Sequence, residues 1–299
     1  MHACLSVDEI LRLIACELVG SRAKATAVAL ACSCKSFEVP ALDALWRTQE
    51  QLPLLLKSLP GEVWNGYKYT VSMPTTCVSF FLNYLDRKSF KRLPTTPEWA
   101  RFRKYARRMR VLSVSGDLDF SLSPEVFGVL QFCAISKPLF PNLERLSLWH
   151  IVGGFIPFIP LFLSSGITVV RITFSEYRGL PNTALVASMF TTFPTLCPNL
   201  QDISLYSVPR DPVIVTAVSE FLLATNRDTF RYLRVDSLLT EEACEVLYKL
   251  PNLCELSVVV KGSTSLPTMV LPNLTNMDVE YDHDRDWYLP LPLSTRYTS

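Results

Sequence analysis

The sequence predicts an α/β repeat array, with parallel strands stacked along an inner face and helices along the outside. Three observations predict it. The stretch Phe140-Pro141-Asn142-Leu143-Glu144-Arg145-Leu146-Ser147-Leu148-Trp149 returns in outline from Cys197-Pro198-Asn199-Leu200, Leu250-Pro251-Asn252-Leu253 and Leu271-Pro272-Asn273-Leu274. Every copy keeps apolar residues at relative positions 0, 3 and 5. Met109/Leu112/Val114, Ile167/Val170/Ile172 and Phe230/Leu233/Val235 keep the same spacing without the Pro-Asn prefix, so units start at 109, 143, 167, 200, 230, 253 and 274. Self-similarity at about 20–30 residues marks stacked repeats that bury a continuous core against their neighbours. The third observation is the alternation of these strands with helix candidates at 124–135, 183–193, 212–225 and 240–250. Pro212 near a start, and Glu241 and Glu242 in a first turn, fit helix N-termini.

Before the repeats, Ser6-Val7-Asp8-Glu9 reads as a capping box that opens a helix. Ile10, Leu13, Ile14 and Leu18 recur on one of its faces, and Gly20 stands where helices commonly end. An alanine-rich stretch over 22–32 predicts a second helix. Phe37-Glu38-Val39-Pro40 is expected to break the chain, because the residue before proline is pushed out of the helical region. A third helix is expected over 41–49. Residues 49–108 read as a helical connector and cap: leucine-rich over 51–59, helical over 76–85, and helical again after the start signal Pro94-Thr95-Thr96-Pro97-Glu98. In that last helix Trp99, Phe102, Ala106 and Met109 share a face. The expected organisation is a helical unit over 4–48, the connector over 49–108, repeats over 109–281 and a polar, poorly packed tail over 282–299.

Nearly half of the 299 residues are apolar and the net charge is +1, which excludes a mostly disordered chain and any global electrostatic attraction to nucleic acid or anionic lipid. Locally, residues 87–110 hold ten Lys or Arg against one acid, Glu98. That is a patch for an acidic partner or a solvated helix face; no nucleic-acid motif or aromatic platform accompanies it in the sequence. The nine cysteines are an odd number with no CxxC pair, expected as reduced, buried thiols of a cytoplasmic or nuclear protein. Residues 151–170 carry no charge over a membrane-span length, but Gly153, Gly154, Pro157, Pro160 and Gly166 favour an irregular outer segment of the array.

The three histidines are far apart, and no GxSxG, HExxH, phosphate loop or zinc spacing is present, so the expectation is a non-enzymatic chain without a cofactor or metal. Asp278, Glu280, Asp282, Asp284 and Asp286 lack the EF-hand spacing.

With the Leu-x-x-Leu-x-Leu strand, the array resembles a leucine-rich-repeat horseshoe. The first helices resemble an F-box. Glu9-Ile10-Leu11-Arg12-Leu13-Ile14 is similar to that family's Glu-Ile-Leu-x-x-Ile opening, Cys34-Lys35-Ser36-Phe37 to its Cys-Lys-x-Trp, and Leu45-Trp46 to its closing Leu-Trp. Val7 stands in place of the usual proline and Phe37 in place of the central Trp. The combination resembles the short fungal F-box proteins, substrate receptors of SCF ubiquitin ligases. The resemblance implies docking to the SCF adaptor, and through it to cullin, by Leu5, Glu9, Ile10, Leu11, Ile14, Phe37, Leu45 and Trp46. A stand-alone repeat scaffold whose first helices only seal its open end is the competing reading. An adaptor surface, unlike a cap, leaves apolar side chains in solvent.

Strand alternation sends the residues flanking the last two apolar positions onto the inner face. Along the seven strands its middle is aromatic and basic and its end acidic. Aromatics and arginine dominate binding hot spots, so Arg145, Trp149, Arg171, Tyr206, Tyr232 and Arg234 are the expected contacts to a protein substrate.

Overall fold

The computed structural model describes residues 7–21, 23–68, 86–115, 122–134, 138–175, 182–225, 228–247, 249–261, 272–282 and 295–297. It is an α/β structure. Strands β1 (Thr48–Gln49), β4 (Val111–Ser115), β5 (Arg145–Ile151), β6 (Val169–Phe174), β7 (Asp202–Tyr206), β8 (Tyr232–Leu238), β9 (Glu255–Lys261) and β10 (Asn276–Asp282) are parallel neighbours in sequence order. Helices α6 (Pro124–Ala134), α7 (Thr183–Leu196), α8 (Pro212–Ala224) and α9 (Glu241–Leu247) connect successive strands close to the expected positions. Where no such helix lies between β5 and β6, Ile156–Phe162 form a 3-10 turn. The uncharged stretch 151–170 is thus split between strands and this turn. Among the described residues no helix is long and apolar enough to cross a membrane.

Register explains the repeat. Leu112, Leu146, Val170, Ile203, Leu233, Leu256 and Met277 are cross-strand partners in one row, and Val114, Leu148, Ile172, Leu205, Val235 and Val258 in the next. Both rows enter one continuous core. The repeat starts Met109, Leu143, Ile167, Leu200, Phe230 and Leu253 are fully buried.

The Pro-Asn prefix has a hydrogen-bonding role that spacing did not disclose. The Asn142 side-chain amide donates to the Arg107 carbonyl at 2.7 Å, Asn199 to Ser165 at 2.9 Å, Asn252 to Asp228 at 2.8 Å and Asn273 to Pro251 at 2.8 Å. In each case the acceptor lies two residues before the start of the preceding unit. The asparagine therefore satisfies a loop carbonyl and fixes the distance between coils. The unprefixed unit at 167 has Gly166 there, where a Cβ would come within 3.3 Å of the Leu143 carbonyl oxygen.

The N-terminal unit is α1 (Asp8–Gly20), α2 (Lys24–Ser33) and α3 (Lys35–Arg47). Ser6 lies outside the described residues, and the residue capping α1 is Val7, which has no side-chain acceptor. The expected break at Pro40 is corrected: the chain turns earlier, at an extended Cys34, and Pro40 sits inside α3. Burial of Pro40, Ala41 and Ala44 against the other helices outweighs the bias against a helical residue before proline.

The expected all-helical connector is also corrected. After α4 (Leu52–Leu56), β2 (Trp64–Lys68) and β3 (Asp86–Phe90) pair antiparallel. Trp64 and Phe90 are opposed in that register and stack at 4.7 Å, a pair that stabilises so short a ribbon. The helix expected over 76–85 lies outside the described residues. At the other end, Thr295–Tyr297 (β11) pairs antiparallel with β10, so part of the tail expected to pack poorly covers the last strand edge.

Helix α5 (Thr96–Ala106) begins with the expected signal in a complete capping box around Thr95 and Glu98. Arg92 grips the Glu98 carboxylate with two bonds of 2.7 and 2.8 Å, and the Thr95 amide donates to it at 2.7 Å. These hold the carboxyl at about 2, below its ordinary 4.5. A depressed folded value contributes stability above pH 4.5 that is lost as pH falls toward 2. Protection factors at the first turn of α5, corrected for the intrinsic pH dependence of amide exchange, are expected to fall as pH drops through that window in the native chain and to stay level in Glu98→Gln.

The thiols are not uniformly buried as expected: Cys16 and Cys32 are exposed and Cys34 half-exposed, whereas Cys197 and Cys244 are buried. Burial pushes the last two up to about 11. The Ser36 amide and hydroxyl, bonding to the Cys34 sulfur, lower its pKa. Iodoacetamide at mildly alkaline pH is expected to alkylate Cys34 first and to spare Cys197 and Cys244 until the chain is denatured, read by peptide mass spectrometry.

Candidate functional site

Two surfaces hold the residues singled out in the sequence. The first is α1. Its buried side is Leu11 and Ala15, and Ala15 packs with Ala41 and Ala44 of α3. Leu11, expected to dock a partner, is therefore a core residue. Leu13 is 71% exposed and Ile14 36%, with Ile10 partly exposed beside them and Glu9 exposed. Of the docking residues expected on α1, Glu9, Ile10 and Ile14 thus reach solvent and Leu11 turns inward. The inward side of the helix is decided by the small alanines of α3, which admit a close approach only to a matching groove. Val28 and Val39 are further exposed apolar residues of the unit.

Phe37 and Leu45 are half-buried. Trp46, expected at the docking surface, instead packs on the main core, its ring 4.7 Å from Tyr105. Leu5 lies outside the described residues. Asp43 of α3 pairs with Arg108, Glu38 lies 3.7 Å from Lys104, and the Arg110 amide donates to the Arg47 carbonyl. The helical unit is bolted to the first repeat.

The second surface is the solvent side of the sheet. Arg145, Asp202, Tyr232 and Glu255 belong to one row across the strands, and Ser113, Ser147, Arg171, Ser204, Arg234 and Ser257 to the next. Trp149 and Tyr206 lie one step further, opposite Ser115 and Thr173. All six expected substrate residues share this face. Arg171 and Arg234 stand two strands apart, roughly 10 Å.

Each arginine is held by a carboxylate of the following strand. Arg171 lies 3.4 Å from Asp202, and Arg234 donates to Glu255 at 2.6 Å and to the Tyr206 hydroxyl at 3.1 Å. The tyrosine hydroxyl first, and Glu255 after burial, keep the Arg234 guanidinium above its usual pKa. Asp202 and Glu255 were not among the expected contacts. Their signal was present: strand alternation places them diagonally beside the arginines.

His150 and Ser207 take positive φ, 53° and 52°, directly after Trp149 and Tyr206. Left-handed backbone at non-glycine residues is a local cost, and here it recurs at one repeat position, at a register irregularity within β5 and just past the end of β7. The Ser207 amide donates to the Asp236 carboxylate at 3.1 Å, which anchors one of these turns.

What this face can do chemically is bind. It offers preset guanidiniums, hydroxyls, an indole and two phenols on a rigid sheet. Among the described residues no cluster of three His, Cys, Asp or Glu is arranged to hold a metal ion. Comparison of the chain with family models, curated proteins and solved structures returned no match.

Proposed function

We propose that this chain is a leucine-rich-repeat horseshoe with an F-box-like helical unit, acting as the substrate receptor of an SCF-type ubiquitin ligase. The sheet face around Arg145, Trp149, Arg171, Tyr206, Tyr232 and Arg234 takes a protein substrate. Ile10, Leu13 and Ile14 dock the SCF adaptor, and the adaptor brings cullin. The observation that carries this reading is the outward apolar stripe of α1. A helix that only sealed the array would turn its leucine and isoleucine side chains inward, yet Leu13 stands in water while small Ala15 is buried. The competing reading, a scaffold whose helices are only a cap, is favoured by Trp46 and by the ion pairs tying α3 to Lys104 and Arg108; the receptor reading needs these too, to hold substrate and adaptor in fixed relation.

The test is capture of purified SCF adaptor by the full chain. Wild type is expected to retain the adaptor, and Leu13→Asp combined with Ile14→Asp to lose it without a change in circular dichroism. Failure of the wild-type chain to bind would overturn the receptor reading in favour of the scaffold.

A further inference from the structure

The basic stretch that the sequence left without an aromatic companion acquires one from another element. Trp99 and Ala100 of α5 face Phe132 of α6 across a groove of about 500 Å³ whose remaining lining is Thr96, Arg103, Lys104 and Arg107. Phe132 is 74% exposed, an aromatic ring left in water on a helix whose Val126, Phe127 and Leu130 are buried. Trp99 is half-buried, edge-on to Phe102 at 5.3 Å, so one flank of the indole lines the groove. Among the described residues no carboxylate lines it. Glu98, beside Trp99 in α5, is gripped by Arg92, and Glu38 lies 3.7 Å from Lys104.

We infer that this groove between α5 and α6 is a docking site for an acidic protein segment carrying a large apolar side chain. The apolar side chain inserts between Phe132 and Trp99, and the flanking carboxylates meet Arg103, Lys104 and Arg107. The charge of the rim selects the sign of the partner, and the two rings select an apolar anchor; neither feature alone would do both. A single-stranded nucleic acid is the poorer fit, because it needs successive exposed rings on which to stack bases and this groove has one fully exposed ring. The site lies outside the α1 stripe and the sheet face, so it stands whether or not the receptor reading does.

The test is calorimetric titration of the full chain with a synthetic peptide of the form Asp-Glu-Asp-Phe-Leu-Asp-Glu-Asp, a counterpart with Ser-Ser at its centre, and a short single-stranded oligonucleotide. The first peptide is expected to bind, with affinity falling about tenfold in Phe132→Ala and tenfold or more in Arg103→Glu combined with Arg107→Glu. Because Phe132 is exposed, the melting temperature of Phe132→Ala should stay at the wild-type value. Binding should persist in the Leu13→Asp, Ile14→Asp chain. No binding of the first peptide, equal binding of the Ser-Ser peptide or the oligonucleotide, or an undiminished affinity in Phe132→Ala would each overturn the inference.

Discussion

Phe162→Ala is expected to remove about 3–5 kcal/mol of folding stability, the range for deleting a buried phenyl from a packed core. Phe162 is fully buried, with its ring nearly parallel to Phe140 at 5.8 Å and stacked on Phe155 at the same separation. Phe155 in turn meets Phe127 of α6 edge-on at 5.3 Å. The phenyl therefore joins the turn replacing a helix after β5 to the helix of the preceding unit and to the opening residue of the Pro-Asn repeat. Removing it leaves a void walled by rings that have few alternative rotamers, so little of the cavity can close. Against a typical stability of about 5–15 kcal/mol the loss is large. Urea unfolding followed by far-ultraviolet circular dichroism would measure it. Phe158, half-buried and stacked only on Phe127, should cost less when truncated; a loss below about 1 kcal/mol at Phe162 would contradict the packing described.

The repeats were legible because their signal is direct. An apolar spacing of 0, 3 and 5 translates residue by residue into a pleat, so the buried starts at 109, 143, 167, 200, 230 and 253 and the sheet-face placement of Arg171 or Tyr206 follow without tertiary information. The orientation of α1 was not legible. Ile10, Leu13, Ile14 and Leu18 satisfy a helical period, and so do Leu11, Ala15, Leu18 and Val19. Which stripe turns inward depends on the size of the groove offered by Ala41 and Ala44, which lie far away in sequence. The same limit hid the α5–α6 groove: residues 87–110 contain the charge, but the exposed ring comes from Phe132. The β2–β3 ribbon escaped because its stability rests on the Trp64–Phe90 pair rather than on alternation along either strand.

Asp43→Ala should weaken the attachment of the helical unit to the repeats by about 2–3 kcal/mol, somewhat under the 3–5 typical of breaking a fully buried pair. Arg108 is only 13% exposed, and its Nε finds no hydrogen-bond partner. Asp43 is thus the charge that makes its burial tolerable, while a third of the Asp43 side chain remains in water, which trims the effect. Without the carboxylate the guanidinium keeps only a long 3.5 Å approach to the Val39 carbonyl, and Arg12 loses its second acid as well. The small alanine core of α1–α3 has little independent stability, so the loss should appear as local opening. Amides of α1–α3 are expected to exchange about 30- to 150-fold faster while those of β5–β9 keep their protection. Asp43→Ala with Arg108→Met should recover much of that loss, since an apolar chain of similar length fills the site without a charge to solvate. If the double variant exchanged as fast as the single one, the cost would lie in packing at Asp43 and not in the stranded guanidinium.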